Sequence, residues 1–221
     1  MGFSEYFPVW GELTQAQRET LTRSVTRRSV PAGTVLHRGE DDCLGVLLVR
    51  SGQLRVYISS DEGREVTLYR LFERDLCLLS ASCAMPNIQF ETTVEAEKNS
   101  EIWIIPPAVF RDLRAQSLAV SNFVNDVMSS RFSEVMWRVE QILWKSMDKR
   151  VASFLLEESA LEGSKELHLT HDRIAAHLGT AREVVTRMLR YFQSEGMVEL
   201  SRGRVTLLAE ERMRALAEDT A

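Results

Sequence analysis

The chain changes its periodicity near Pro107, from strand-like to helical, and that change limits the folds open to it. Before it, short β-rich runs recur at residues 45–49 (GVLLV), 54–58 (LRVYI), 66–71 (VTLYRL), 92–96 (TTVEA) and 102–105 (IWII). Turn-forming stretches separate them, among them Pro31-Ala32-Gly33, Ser51-Gly52, Asp61-Glu62-Gly63 and Lys98-Asn99-Ser100. Branched and aromatic side chains suit a half-buried pleated surface, and Gly, Asp, Asn and Pro bend the backbone between runs. Short strands at this regular spacing predict an antiparallel roll or barrel. Ahead of them, residues 13–25 place Leu13, Ala16, Leu21 and Val25 at helical spacing behind Thr14, which predicts a short capped helix.

From Pro107 the pattern is helical for some fifty residues. Met128, Phe132, Val135, Val139 and Ile142 step by four, three, four and three, the spacing of a coiled-coil seam. Such a stripe can cover the chain's own roll or a second copy of the chain. A helix this long exceeds what a small roll covers, so the seam is assigned to a homodimer interface. The polar segment 145–149 interrupts the stripe and reads as a hinge, followed by a further helix over 150–158. The expected division is a roll over 1–116, which the resemblance described below makes the effector-sensing domain, a dimerisation helix over 117–144 and a third region over 145–221. The fold class is α+β: an antiparallel, cupin-like jelly roll, a long helix and a C-terminal winged helix-turn-helix.

That third region holds the most informative chemistry, in residues 169–207. It reads as a short helix, a turn at Gly179, a second helix and two strands around Arg202-Gly203, before a terminal helix over 209–217. At about 100° per residue, Arg182, Glu183, Thr186, Arg187 and Arg190 share an arc of roughly 140° on the second helix. Val184, Val185, Met188, Leu189 and Phe192 occupy the opposite arc. One face can pack on Ile174 and Leu178 while the other offers arginine forks and a carboxylate. In a major groove Arg matches guanine O6 and N7, and Glu accepts from cytosine N4. Glu183 has a competing role, because Thr180-Ala181-Arg182-Glu183 fits a capping box with Thr180 as the N-cap.

The whole chain carries a net charge of −5, whereas residues 170–207 hold six basic against four acidic residues, or +2. A local basic face on an acidic protein suits selective binding with few phosphate contacts. No apolar run reaches membrane-spanning length, and the start, MGFSEYFPVW, has no basic segment followed by an apolar one. Three cysteines without a Cys-x-x-Cys pair fit a reducing compartment, so a cytoplasmic location is expected.

The order of parts resembles the Crp/Fnr family of bacterial transcription regulators. PAGTVLHRGE and LVRSGQLRVYISSDEGREVTLYRL look like that family's sensing roll, and LTHDRIAAHLGTAREVVTRMLRYFQSEGMVEL looks like its DNA-binding signature. The resemblance implies a homodimer on palindromic double-stranded DNA with half-sites about one helical turn apart, and RNA polymerase as a further partner. It places Arg182, Glu183 and Arg187 at base-reading positions and favours half-sites resembling TGTGA. Thr186 stands where the Fnr-like branch has a contributing Ser, which admits a TTGAT-like preference. Thr170, Arg190, Arg202 and Arg204 become phosphate contacts.

The sensing side departs from the family. Cyclic-nucleotide-binding members carry a Gly-Glu turn and an Arg-Ser pair at the phosphate. Here Arg74-Asp75 occupies the turn, and Phe90-Glu91 or Glu91-Thr92 stands in place of Arg-Ser. A carboxylate there repels phosphate, so cyclic AMP is not the expected effector. The Fnr-type iron–sulfur cluster needs four ligands, whereas Cys43, Cys77 and Cys83 are three and none lies near the start. Cys77, Leu79, Ser80, Ser82 and Cys83 mark the candidate effector pocket; the two cysteines there read as core residues, redox- or metal-sensing thiols, or pocket lining. Met85-Pro86 with His37 is the haem alternative, and the cofactor stays open. His168, His171 and His177 do not share one helical face, which argues against metal, and His171 and His177 are expected on the DNA side or in solvent. No nucleophile elbow, phosphate loop or metal-protease motif appears, so an enzyme is not expected. A constitutive DNA binder with a vestigial sensor, and a roll that regulates a partner protein, remain as alternatives.

Overall fold

The computed structural model describes residues 2–39, 43–84 and 91–218, with the backbone alone for 82–84. Two compact units divide it: residues 1–58 with 68–135, and residues 59–67 with 136–221.

In the first unit, strands β1 (Thr26–Val30), β8 (Ser100–Ile105), β3 (Val46–Ser51) and β6 (Leu76–Cys77) form one four-stranded sheet in that order. Strands β2 (Val35–Arg38), β7 (Thr93–Ala96), β4 (Leu54–Ser59) and β5 (Glu65–Leu71) form a second, of which Ser59 and residues 65–67 are counted with the second unit. β1–β8, β3–β8, β3–β6, β2–β7 and β4–β7 pair antiparallel, and between β3 and β8 Leu47 faces Ile104 and Leu48 faces Trp103. β3 is buried along its first four residues because the sheet is covered on both sides. Leu47 and Val49 join Leu54, Val56, Leu71, Val94 and Ile102 in the core of the roll. Val46 and Leu48 face a second cluster with Ile105, Phe110, Val120 and Val124. That outer layer comes from α1 (Phe3–Tyr6), α2 (Gln15–Ser24), α3 (Pro107–Gln116) and the start of α4 (Leu118–Trp144). Thr14 caps α2 in a box with Gln17, as its sequence suggests.

Arg74 has a φ of 73° and is the one non-glycine among the described residues in the left-handed region. It occupies the turn where the resembling family carries glycine, so the turn keeps a glycine-like shape with an arginine in it. The next residue, Asp75, accepts a hydrogen bond from the Phe72 backbone N–H at 2.8 Å and pairs with Arg131 of α4 at 2.8 Å. Arg131 also bonds Glu134 at 2.8 Å and lies over the Tyr69 ring, 5.0 Å from its centroid. Burial works to lower the Arg131 pKa, but the Asp75 and Glu134 carboxylates outweigh it and hold the guanidinium charged.

The sensing-side candidates are packed where they are described. Cys77 and Leu79 sit in the roll core, and the Ser80 hydroxyl is committed to the carbonyls of Gly45 and Cys77. Burial pushes the Cys77 thiol pKa up, the opposite of what a reactive thiolate needs. Cys43 is disulfide-bonded. This differs from the three reduced thiols that cysteine number and spacing suggest, because pairing depends on spatial proximity. The side chains of Ser82 and Cys83, and Met85-Pro86 and Phe90, lie outside the described residues.

In the second unit, α5 (Met147–Glu162), α6 (His171–Leu178), α7 (Arg182–Ser194) and α8 (Glu210–Glu218) enclose a core of Val151, Phe154, Leu155, Ile174, Val185, Leu189 and Phe192. A three-stranded sheet in the order β10 (Val198–Ser201), β11 (Arg204–Leu207), β9 (Glu166–Leu167) completes it. The expected hinge is a break of two residues, with α4 ending at Trp144 and Ser146 preceding α5. No helix among the described residues is long and apolar enough to cross a membrane.

Candidate nucleic-acid interface

The helix-turn-helix is defined at each end by local chemistry. Thr170 precedes α6, and its hydroxyl accepts from the Arg173 backbone N–H at 3.2 Å. Gly179 ends α6 with φ 67°, a conformation natural to glycine. Arg150 donates to the Leu178 carbonyl and so satisfies one of the free acceptors at that helix end. α7 then buries Val185, Leu189 and Phe192. Each fully buried side chain of this size stabilises by roughly 1.5–3 kcal/mol, enough to fix the helix's rotation about its axis.

That rotation leaves Arg182, Glu183, Arg187 and Arg190 exposed and Thr186 half-buried. The five residues line one shallow cavity of about 540 Å³. The face read from the sequence is therefore a continuous surface. The capping alternative for Glu183 is absent: the N-cap is Ala181, no side chain caps the helix, and Thr180 lies one residue too early. Arg182 lies 3.5 Å from Asp172, with both side chains over 60% exposed, a pair that costs little to break.

Two candidate backbone contacts lie at the wing formed by β10 and β11. Arg202 is exposed in the turn, and Arg204 pairs with Glu166 at 2.9 Å, so phosphate binding through Arg204 exchanges one anion for another. Arg190 is exposed one turn of α7 beyond Thr186.

The three histidines separate. His168 is exposed near Glu166. His177 is buried, a correction to its expected place on the DNA side or in solvent. Its Nδ1 lies 2.8 Å from the Thr67 hydroxyl, and its ring stands 5.1 Å from that of Phe154. A helical wheel cannot show this, because Thr67 comes from residues 59–67, more than a hundred positions earlier. His171 is half-buried, and its Nδ1 lies 2.8 Å from the Thr186 hydroxyl. Burial lowers its pKa first and the positive charges of Arg182 and Arg190 add to this, with Asp172 opposing.

On α4 the seam divides. Met128 and Val135 pack against the clusters of the roll. Phe132, Val139 and Ile142 are exposed, and Met136 and Leu143 extend them into an apolar stripe on which Phe132 is 67% and Leu143 64% exposed. Of the expected interface residues, three thus lie on the uncovered face.

Comparison with known proteins accords with both units. Residues 27–117 match the profile of the cyclic nucleotide-binding domain, and residues 149–216 match the Crp-like helix-turn-helix domain. A crystallised transcriptional regulator of the Crp/Fnr family from Eubacterium rectale is 56% identical, with a TM-score of 0.95 over 97% of this chain and 100% of that one. A second, from Thermus thermophilus, is 26% identical with a TM-score of 0.69 over 88% of this chain and 99% of that one. The transcriptional activator FnrA of Stutzerimonas stutzeri is 27% identical over 86% of this chain and 80% of its own length.

Proposed function

The chain belongs to the Crp/Fnr family of transcription regulators, and on that premise we propose that it works as a homodimer that binds palindromic DNA through paired α7 helices. The observation that carries the reading is the free face of α7, where Arg182, Glu183 and Arg187 stand exposed on a helix whose opposite side buries Val185, Leu189 and Phe192. Arg182 and Arg187 read guanine edges and Glu183 accepts from a cytosine amine. Thr186 completes the base-reading set, and Thr170, Arg190, Arg202 and Arg204 hold the phosphates. The uncovered stripe on α4 supports dimerisation, since an exposed apolar row of that length is otherwise a liability in water. The dimer sets half-sites about 34–36 Å apart. The regulator works in the cytoplasm with RNA polymerase as its downstream partner.

The roll takes a small-molecule or redox effector other than cyclic AMP. Asp75 is already engaged by Arg131, and Glu91, exposed, presents a carboxylate where a cyclic phosphate needs a donor. Effector binding shifts the population of α4 arrangements and, through the break after Trp144, the spacing of the α7 pair. Selection of binding sites from a random duplex pool, with sedimentation of the recovered complex, tests the reading. Inverted repeats bound by two chains support it; loss of sequence selection, or binding by one chain, contradicts it. Calorimetric titration with cyclic AMP is expected to give no micromolar binding.

A further inference from the structure

The Thr186 side chain makes two hydrogen bonds that together decide what it can say to DNA. Its hydroxyl lies 2.9 Å from the Arg182 backbone carbonyl, one helical turn back, and 2.8 Å from His171 Nδ1 on the preceding helix. A hydroxyl has one hydrogen and two lone pairs, and a carbonyl oxygen only accepts. Both contacts are hydrogen bonds at once only if Thr186 donates to Arg182 and His171 donates its Nδ1–H to Thr186. This assigns the histidine tautomer and uses up the threonine's only proton. Thr186 lines the same cavity as Arg182, Glu183 and Arg187, and what it has left for a ligand is its methyl and a lone pair.

We propose that His171 is a positioning residue that locks the Thr186 rotamer, so that Thr186 recognises thymine by its C5-methyl group and not by donating a hydrogen bond. The inference rests on the reading of α7 as the base-contacting helix. In the major groove thymine is the one base that carries a methyl group, and a threonine methyl is an apolar surface suited to it. A threonine on a helix ordinarily divides between two rotamers. The bond across from α6 removes that freedom before DNA arrives, so none has to be lost on binding. His171 thereby joins the two helices of the motif at the base-reading position, a role that goes beyond the place on the DNA side or in solvent expected from the sequence.

The test uses the full-length protein and a duplex recovered by selection from the random pool, with each thymine in turn replaced by deoxyuridine, which removes the methyl and nothing else. Wild type is expected to weaken about fourfold at one thymine of a half-site and little elsewhere, the loss that follows from one buried methyl group. The readout is the ratio of thymine to deoxyuridine affinity, which cancels any general loss of binding. Thr186→Ser keeps the hydroxyl and both hydrogen bonds but lacks the methyl, and is expected to bring the ratio to one. His171→Ala is expected to lower the ratio, and His171→Asn to restore it, because the asparagine amide nitrogen stands at the place of Nδ1 and donates.

Duplexes that are selected yet insensitive to deoxyuridine at every position overturn the proposal and leave the DNA-binding reading intact. A wild-type ratio kept by Thr186→Ser shows the hydroxyl to be the reader and overturns it as well. A ratio unmoved by His171→Ala removes the positioning role. Failure of the pool to yield any selected duplex overturns both readings together.

Discussion

Gly179→Ala is expected to destabilise the second unit through two separable effects. The residue has φ 67°, where a Cβ costs about 1–2 kcal/mol. A Cβ there would also overlap Val66 Cγ2, while Val66 Cβ would stay at an ordinary 3.5 Å. Valine is stiff about χ1, so it cannot swing its methyl away, and forcing one methyl into occupied space costs about 1–3 kcal/mol. The sum is about 3 kcal/mol. Val66→Ala removes the obstructing methyl, and as a half-buried truncation costs about 1 kcal/mol alone. In the double variant only the backbone effect of Gly179→Ala survives. The two substitutions together therefore cost about 2 kcal/mol less than their sum. Urea unfolding of the four proteins, followed by the far-ultraviolet signal, measures the coupling. Strict additivity would refute the packing of Val66 on the turn, which also rests on the Val66–Leu178 bridge and the Thr67–His177 bond.

Three further outcomes follow from the same geometry. Arg74→Gly is expected to stabilise the roll by up to about 1 kcal/mol in thermal unfolding, because glycine adopts the φ of 73° without strain, offset in part by a more flexible unfolded chain. Arg131→Met keeps the length of the side chain but leaves Asp75 with its backbone partner alone; a loss of about 1.5–3 kcal/mol is expected for the charge-assisted bonds, and no change in unfolding midpoint would contradict the pinning of α4 to the roll. His171 titrates below its ordinary value in the folded protein, so between that point and about pH 6.5 the unfolded chain binds more protons. Its contribution is fully present above about pH 6.5 and is lost as pH falls from there through the lowered folded-state value, so wild type should lose stability relative to His171→Asn as pH is lowered below about 6.5.

The parts of the structure legible in the sequence are those whose signal is local. The α7 face is set by a 3.6-residue period in which Val185, Leu189 and Phe192 point one way and Arg182, Glu183 and Arg187 the other. Gly179 and Thr14 act through their own backbone neighbours. β1, reading TRRSV, is mostly exposed at the edge of its sheet and has no apolar alternation to reveal it. β6 is two residues long and exists only through its pairing with β3. The burial of His177 by Thr67, the Asp75–Arg131 pair and the bond of His171 to Thr186 each join residues at least fifteen positions apart, which no periodicity encodes. The stripe on α4 had the right period, but which of its residues the roll would cover depended on the rotation of the helix.

Base reading by Arg182, Glu183 and Arg187 is what the exposed face of α7 predicts. Half-site selection by wild type and by Glu183→Ala, with thermal unfolding of both, tests it most directly. Glu183 caps nothing and is exposed, so its removal should leave the unfolding midpoint unchanged. It should also relax the preference at one cytosine by about 1–3 kcal/mol, roughly 5- to 150-fold. An unchanged half-site preference in a folded Glu183→Ala protein would contradict the account.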